Sequence, residues 1–106
     1  MTLTVFRELF GSSPLARIID YFLDNSVFDY SMADLVRDEG ISYNTLRPVW
    51  QLMIARGIIV KTRIVGKADM YKLNRKSPLV QRLWDLNVAL VEQPKLVKRS
   101  RARLQV

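Results

Sequence analysis

Tyr43, Asn44, Thr45 and Arg47 stand close together, and each carries a group able to hydrogen-bond a base edge or a phosphate. An asparagine amide pairs bidentately with adenine, an arginine guanidinium with guanine, and a tyrosine or threonine hydroxyl reaches phosphate oxygens. Ser42 precedes them and is of the type that caps a helix N-terminus, so its hydroxyl would place all four in a helix's first turns. A second group, Lys61, Arg63, Lys67 and Lys72, lies in a stretch rich in β-branched residues. Its chemistry is phosphate neutralisation, although lysines on an exposed strand also serve to deter edge-to-edge pairing.

Other chemistries have little to stand on. The chain contains neither histidine nor cysteine, which removes the commonest general base, thiolate nucleophiles and the usual ligands of transition metals. The acids of the N-terminal half, Asp20 and Asp24 among them, read as solubilising surface charges. No catalytic residue, metal site or cofactor is expected. No apolar run approaches the roughly 18 residues of a membrane span, and the N-terminus lacks a signal-peptide pattern, so a cytoplasmic, nucleoid-associated location and no membrane partner are expected.

Charge is distributed unevenly. Residues 1–45 hold three basic and seven acidic side chains, a balance of −4, whereas residues 46–106 hold fourteen basic and three acidic, a balance of +11. Positive charge concentrated from one helix onward is the footprint of a polyanion partner.

The elements that must position these residues are legible from periodicity and punctuation. Leu3, Phe6, Leu9 and Phe10 repeat at helical spacing and predict a short helix over residues 4–10, closed by Gly11. Ser13-Pro14 is a start signal, and Leu15, Ile18, Ile19, Phe22 and Leu23 give a core helix over 14–24. Residues 27–30 alternate and predict a brief strand. Ser31 with Asp34 fits a capping box opening another helix. Gly40 marks a sharp turn, Ile41 plugs the corner, and Leu46, Val49 and Trp50 form the buried face of a second helix, about 43–56. This pattern is that of a helix-turn-helix.

Pro48 interrupts that second helix. It predicts an irregular or kinked opening over 42–45, with regular helix from Leu46. Residues 58–73 predict a β-hairpin turning at Gly66–Asp69, with Lys61 and Arg63 on one face opposite Val60, Thr62 and Ile64. Residues 78–92 predict a long terminal helix, and residues 94–106 a basic tail. Leu79, Leu83, Leu86 and Leu90 recur on that helix at spacings of four, three and four. So wide an apolar face predicts a homodimer seam, completed by Leu3, Phe6 and Phe10.

In this order the elements, with the motif around Gly40-Ile41-Ser42 and Thr45-Leu46, resemble winged helix-turn-helix regulators of the MarR, ArsR and PadR type. The start Phe10-Gly11-Ser12-Ser13-Pro14 is similar to that of small archaeal winged-helix proteins. The resemblance covers roughly residues 9–91. The expected fold class is therefore mainly α with a small β-hairpin wing, in one domain over residues 1–93 with flanking dimerisation helices. The expected partners are double-stranded DNA, at a palindromic site, and a second copy of the chain. A partition-type DNA binder that spreads on DNA and recruits a protein partner is one alternative, and a protein-interaction winged helix another.

Overall fold

The computed structural model describes residues 4–92, in the order α1 (Val5–Phe10), α2 (Pro14–Asp24), α3 (Met32–Glu39), α4 (Tyr43–Ala55), β1 (Ile59–Val65), β2 (Ala68–Leu73) and α5 (Pro78–Glu92). Leu3 and the basic tail lie outside the described residues. The protein is mainly helical with one two-stranded antiparallel hairpin, an arrangement compatible with a winged helix.

Each boundary has a local cause. The Thr4 hydroxyl accepts from the Arg7 amide, and Ser13 accepts from Ala16 ahead of Pro14. Ser31 and Asp34 form a reciprocal capping box, with both side chains bonded to the other's backbone amide. At Gly40 the chain adopts φ 66°, a left-handed conformation that lets α3 end and the corner turn within three residues. Nothing lies within 4 Å of a β-carbon built there, so the backbone angle and not space demands glycine. The α4 helix closes with paired bonds from Gly57 N–H to the Ile54 carbonyl and from Ile58 N–H to the Met53 carbonyl, a Schellman pattern.

The core forms where the stripes of α2, α3 and α4 meet the base of the hairpin. Ile18, Phe22, Leu35, Leu46, Trp50, Met53 and Ile59 are fully buried there. A chain of aromatic rings ties the layers together. Phe22 and Trp50 have centroids 5.7 Å apart, and Trp50 meets Tyr71 of β2 edge-on at 5.4 Å. Such pairs add to area burial through their quadrupoles.

Three expectations are corrected. Residues 27–30 form no strand, and only Tyr30 pairs, in an isolated bridge to Tyr71. The α4 helix is regular from Tyr43 despite Pro48, because Ser42 caps Thr45 N–H and its carbonyl accepts from Leu46 N–H, so the first turn is already complete. Pro48 is exposed, and water can serve the Asn44 carbonyl that loses its partner. Finally, Asp20 is no surface charge: it is 4% exposed.

Asp20 is tolerated inside because it is paired. Arg7 Nε donates to it at 2.6 Å and Thr4 Oγ1 at 3.0 Å. The same Arg7 donates to Glu39 at 3.1 Å and to the Arg17 carbonyl, while Arg17 donates to the Glu39 side chain and carbonyl. This network binds α1 and α2 to the last residue of α3. Without it a buried carboxylate would cost several kcal/mol.

Candidate nucleic-acid interface

On α4 the buried residues Leu46, Trp50 and Met53 define the inner face, and the opposite face is presented to solvent. Ser42, Tyr43, Asn44, Thr45 and Arg47 are all exposed. Ser42 is committed to structure. Its Oγ accepts from Thr45 N–H at 3.2 Å and donates to Thr45 Oγ1 at 3.1 Å, which leaves the threonine's own proton to donate elsewhere. Among the described residues, no ion pair or side-chain hydrogen bond engages Tyr43, Asn44 or Arg47. Asn44, Arg47 and Gln51 fall at spacings of three and four and therefore share one face. Gln51 was missed by the sequence reading. Its signal was the spacing of four from Arg47.

The hairpin departs from simple alternation. Pairing runs Lys61 to Tyr71 and then Arg63 to Met70, so Thr62 is an extra residue in a β-bulge. Because Tyr71 and Met70 are consecutive, their side chains lie on opposite faces, and so do those of Lys61 and Arg63. The expected common face for these two cations is thus overturned by the bulge. Lys61 pairs with Asp69 at 3.2 Å, both half-exposed. Arg63 reaches across β2 to Asp29, beside the Tyr30 bridge, with Nε and a terminal nitrogen donating at 2.8 and 3.1 Å. Thr62 Oγ1 donates to the same carboxylate at 2.6 Å. The hydrogen bond from Arg63, supported by that from Thr62, pulls the Asp29 carboxyl down from its ordinary range to about 2.

The hairpin turns through Gly66 and Lys67 alone, since Val65 pairs with Ala68, which is tighter than the four-residue turn expected. Gly66, at φ 63°, takes the first central position, where this class of two-residue turn requires a positive angle. Lys67 projects from the tip, exposed, and Lys72 is half-buried on β2; neither forms an ion pair with the described acids.

The tip and α4 face each other. A cleft of about 550 Å³ opens between them, lined by Met32, Tyr43, Gln51 and Ile54 on the helical side and by Lys67 and Tyr71 on the hairpin, with Trp50 at its floor. The exposed start of α4 and the hairpin tip are therefore parts of one concave surface.

The charge polarity of the sequence survives in this arrangement. Arg7, Arg17 and Arg37 are all paired with acids of their own half. In the second half only Lys61 and Arg63 are ion-paired among the described residues, leaving Arg47, Arg56, Lys67, Lys72, Lys76 and Arg82 free. Arg75 lies over the Trp84 ring, 4.6 Å from its centroid.

A separate apolar surface runs along α1 and α5, which pack together. Phe10 is 48% exposed, and Leu79 and Leu86 are exposed with it. Leu83 and Leu90 are half-buried against the core. Phe6 is corrected: at 4% exposure it belongs to the chain's own core and offers nothing to a partner. Leu9, Val88 and Val91 are also exposed on these helices.

No protein-family model, curated protein or solved structure matches the chain. No helix among the described residues is long and apolar enough to cross a membrane. No group of three or more acidic side chains among them is placed to hold a metal ion.

Proposed function

We propose that the protein is a homodimeric, winged helix-turn-helix DNA-binding protein that recognises a specific double-stranded sequence and regulates transcription. One observation carries the reading: Tyr43 and Gln51 of α4, which flank the exposed and unengaged Asn44 and Arg47 in sequence, border the same open cleft as Lys67 at the hairpin tip. The start of α4 has the dimensions and side chains to enter a major groove, while the hairpin lies along the adjoining backbone. Asn44, Arg47 and Gln51 are the base-reading candidates, with Tyr43 and Thr45 hydroxyls aimed at phosphate. Affinity comes mainly from phosphate neutralisation by cations such as Lys67 and Lys72, in a half of the chain whose balance is +11.

The apolar surface of α1 and α5 supports the dimer. Two copies joined there would present two recognition helices, and a two-fold axis demands a palindromic site.

Selection of bound duplexes from a random pool, followed by salt titration on the winner, tests the reading. A palindromic consensus is expected, with log Kd rising about 0.9 per phosphate contact for each decade of salt. Arg47→Ala should lower discrimination at its base by about tenfold or more, whereas Lys67→Ala should weaken all sequences alike and flatten the slope by about one contact. A flat slope with no consensus would overturn the proposal.

A further inference from the structure

Three donors from two successive residues converge on one carboxylate: Thr62 Oγ1 at 2.6 Å, Arg63 Nε at 2.8 Å and an Arg63 terminal nitrogen at 3.1 Å, all to Asp29. The donors belong to the hairpin, where the bulge sets Thr62 beside Arg63 and Thr62 also reaches the Met70 carbonyl at 3.3 Å. The acceptor comes from a separate segment, the α2–α3 connection, which joins the hairpin through a single bridge at Tyr30. Such a fork of guanidinium and hydroxyl groups suits any planar pair of anionic oxygens, and the two free oxygens of a phosphodiester offer the same bidentate match as a carboxylate.

We propose that Thr62 and Arg63 form an oxyanion site on the hairpin, which Asp29 fills in the free protein and a DNA backbone phosphate takes over in the complex. This rests on the DNA-binding reading above. The Arg63 side chain is 63% exposed, so a phosphate can approach the guanidinium while the carboxylate still holds it. Exchange replaces one anion by another, and Asp29 thereby sets how much Arg63 adds to affinity. The wild-type hairpin grips DNA through Lys67 and Lys72, and what Arg63 gains from the phosphate is offset by the Asp29 contact it gives up. Asp29 is a restraint on binding built into the fold.

Asp29→Asn tests this, because the amide keeps an acceptor oxygen for Thr62 while losing the charge and one of the two acceptors that hold Arg63. Fluorescence anisotropy on the selected duplex should show binding two- to fivefold tighter at about 0.1 M salt, the range expected for releasing one exposed ion pair. The salt slope should steepen by about 0.9. Arg63→Gln placed in the Asp29→Asn background should abolish that gain. Equal weakening by Asp29→Asn and Arg63→Gln, or no change from the first, would overturn the site, since the pair would then only brace the hairpin.

A second measurement is independent of DNA. Inorganic phosphate titrated into Asp29→Asn should move the Thr62 and Arg63 amide resonances saturably, and should leave them nearly still in the wild type. If phosphate binds there while no form of the protein binds DNA, the oxyanion site stands and the DNA reading falls. If wild-type DNA binding depends on Arg47 and Lys67 but phosphate moves nothing in the variant, the DNA reading stands and the site falls.

Discussion

Arg47 and Arg63 carry the same charge in different company. Arg47 projects from α4 without an ion pair among the described residues, whereas Arg63 is held bidentately by Asp29. The difference is invisible along the chain, because Asp29 lies 34 residues from its partner and only the bridge at Tyr30 brings the two together. Asp20 was hidden for the same reason: its burial depends on Arg7 and Thr4, which meet it only after α1 folds back on α2. The Asp29 carboxyl is expected to titrate near 2, and Arg63→Gln should raise its midpoint toward the ordinary value of about 3.9, with the Thr62 hydrogen bond retaining part of the shift, measured by carboxyl-carbon NMR. Since the folded value is the lower one, the pair's contribution to stability is fully present above the unfolded carboxyl's range. It is lost as pH falls from about 4 toward 2. An unchanged midpoint in the variant would remove Arg63 as the cause.

At the scale of elements, local signals were strong wherever a cap or a turn residue acts through its own neighbours. Ser13-Pro14, Ser31 with Asp34, Gly40 and Ser42 each mark a boundary that the structure keeps. The hairpin bulge was not legible, because an extra residue is defined by the register of the opposite strand and leaves no mark in β1 itself. Pro48 was legible but its effect was overestimated. A proline on the exposed side of a helix with a finished first turn loses one hydrogen bond without breaking the element. Pro48→Ala restores that bond and should stabilise the protein by about 2 kcal/mol, read from the urea midpoint. No gain would mean that the helix has already relaxed around the ring.

The whole molecule divides into faces. Of α5 only Val80 is fully buried, while Leu83, Trp84 and Leu90 pack against the core from outside it. An apolar face left on such an outlying helix is a hydrophobic cost in water unless something covers it. Leu79→Glu combined with Leu86→Glu should shift the 12.3 kDa chain from dimer to monomer in sedimentation, with helical circular dichroism retained. A wild-type monomer under the same conditions would remove the dimer from the proposed function. The breadth of this face was legible from leucine spacing, but its membership was not. Phe6 and Phe10 share helical spacing, yet only folding decides that Phe6 turns inward.

The arginine network has a mechanical consequence. Arg7 is anchored at once to Asp20 on α2 and to Glu39, the residue immediately before Gly40. It acts as a strut, tying the helix that carries Leu9 and Phe10 to the hinge from which α4 departs. A load applied to that outer edge is delivered through a few ångströms of ion pairs to the corner itself. Any body that grips the edge thereby acquires leverage over the angle at which α4 is held out.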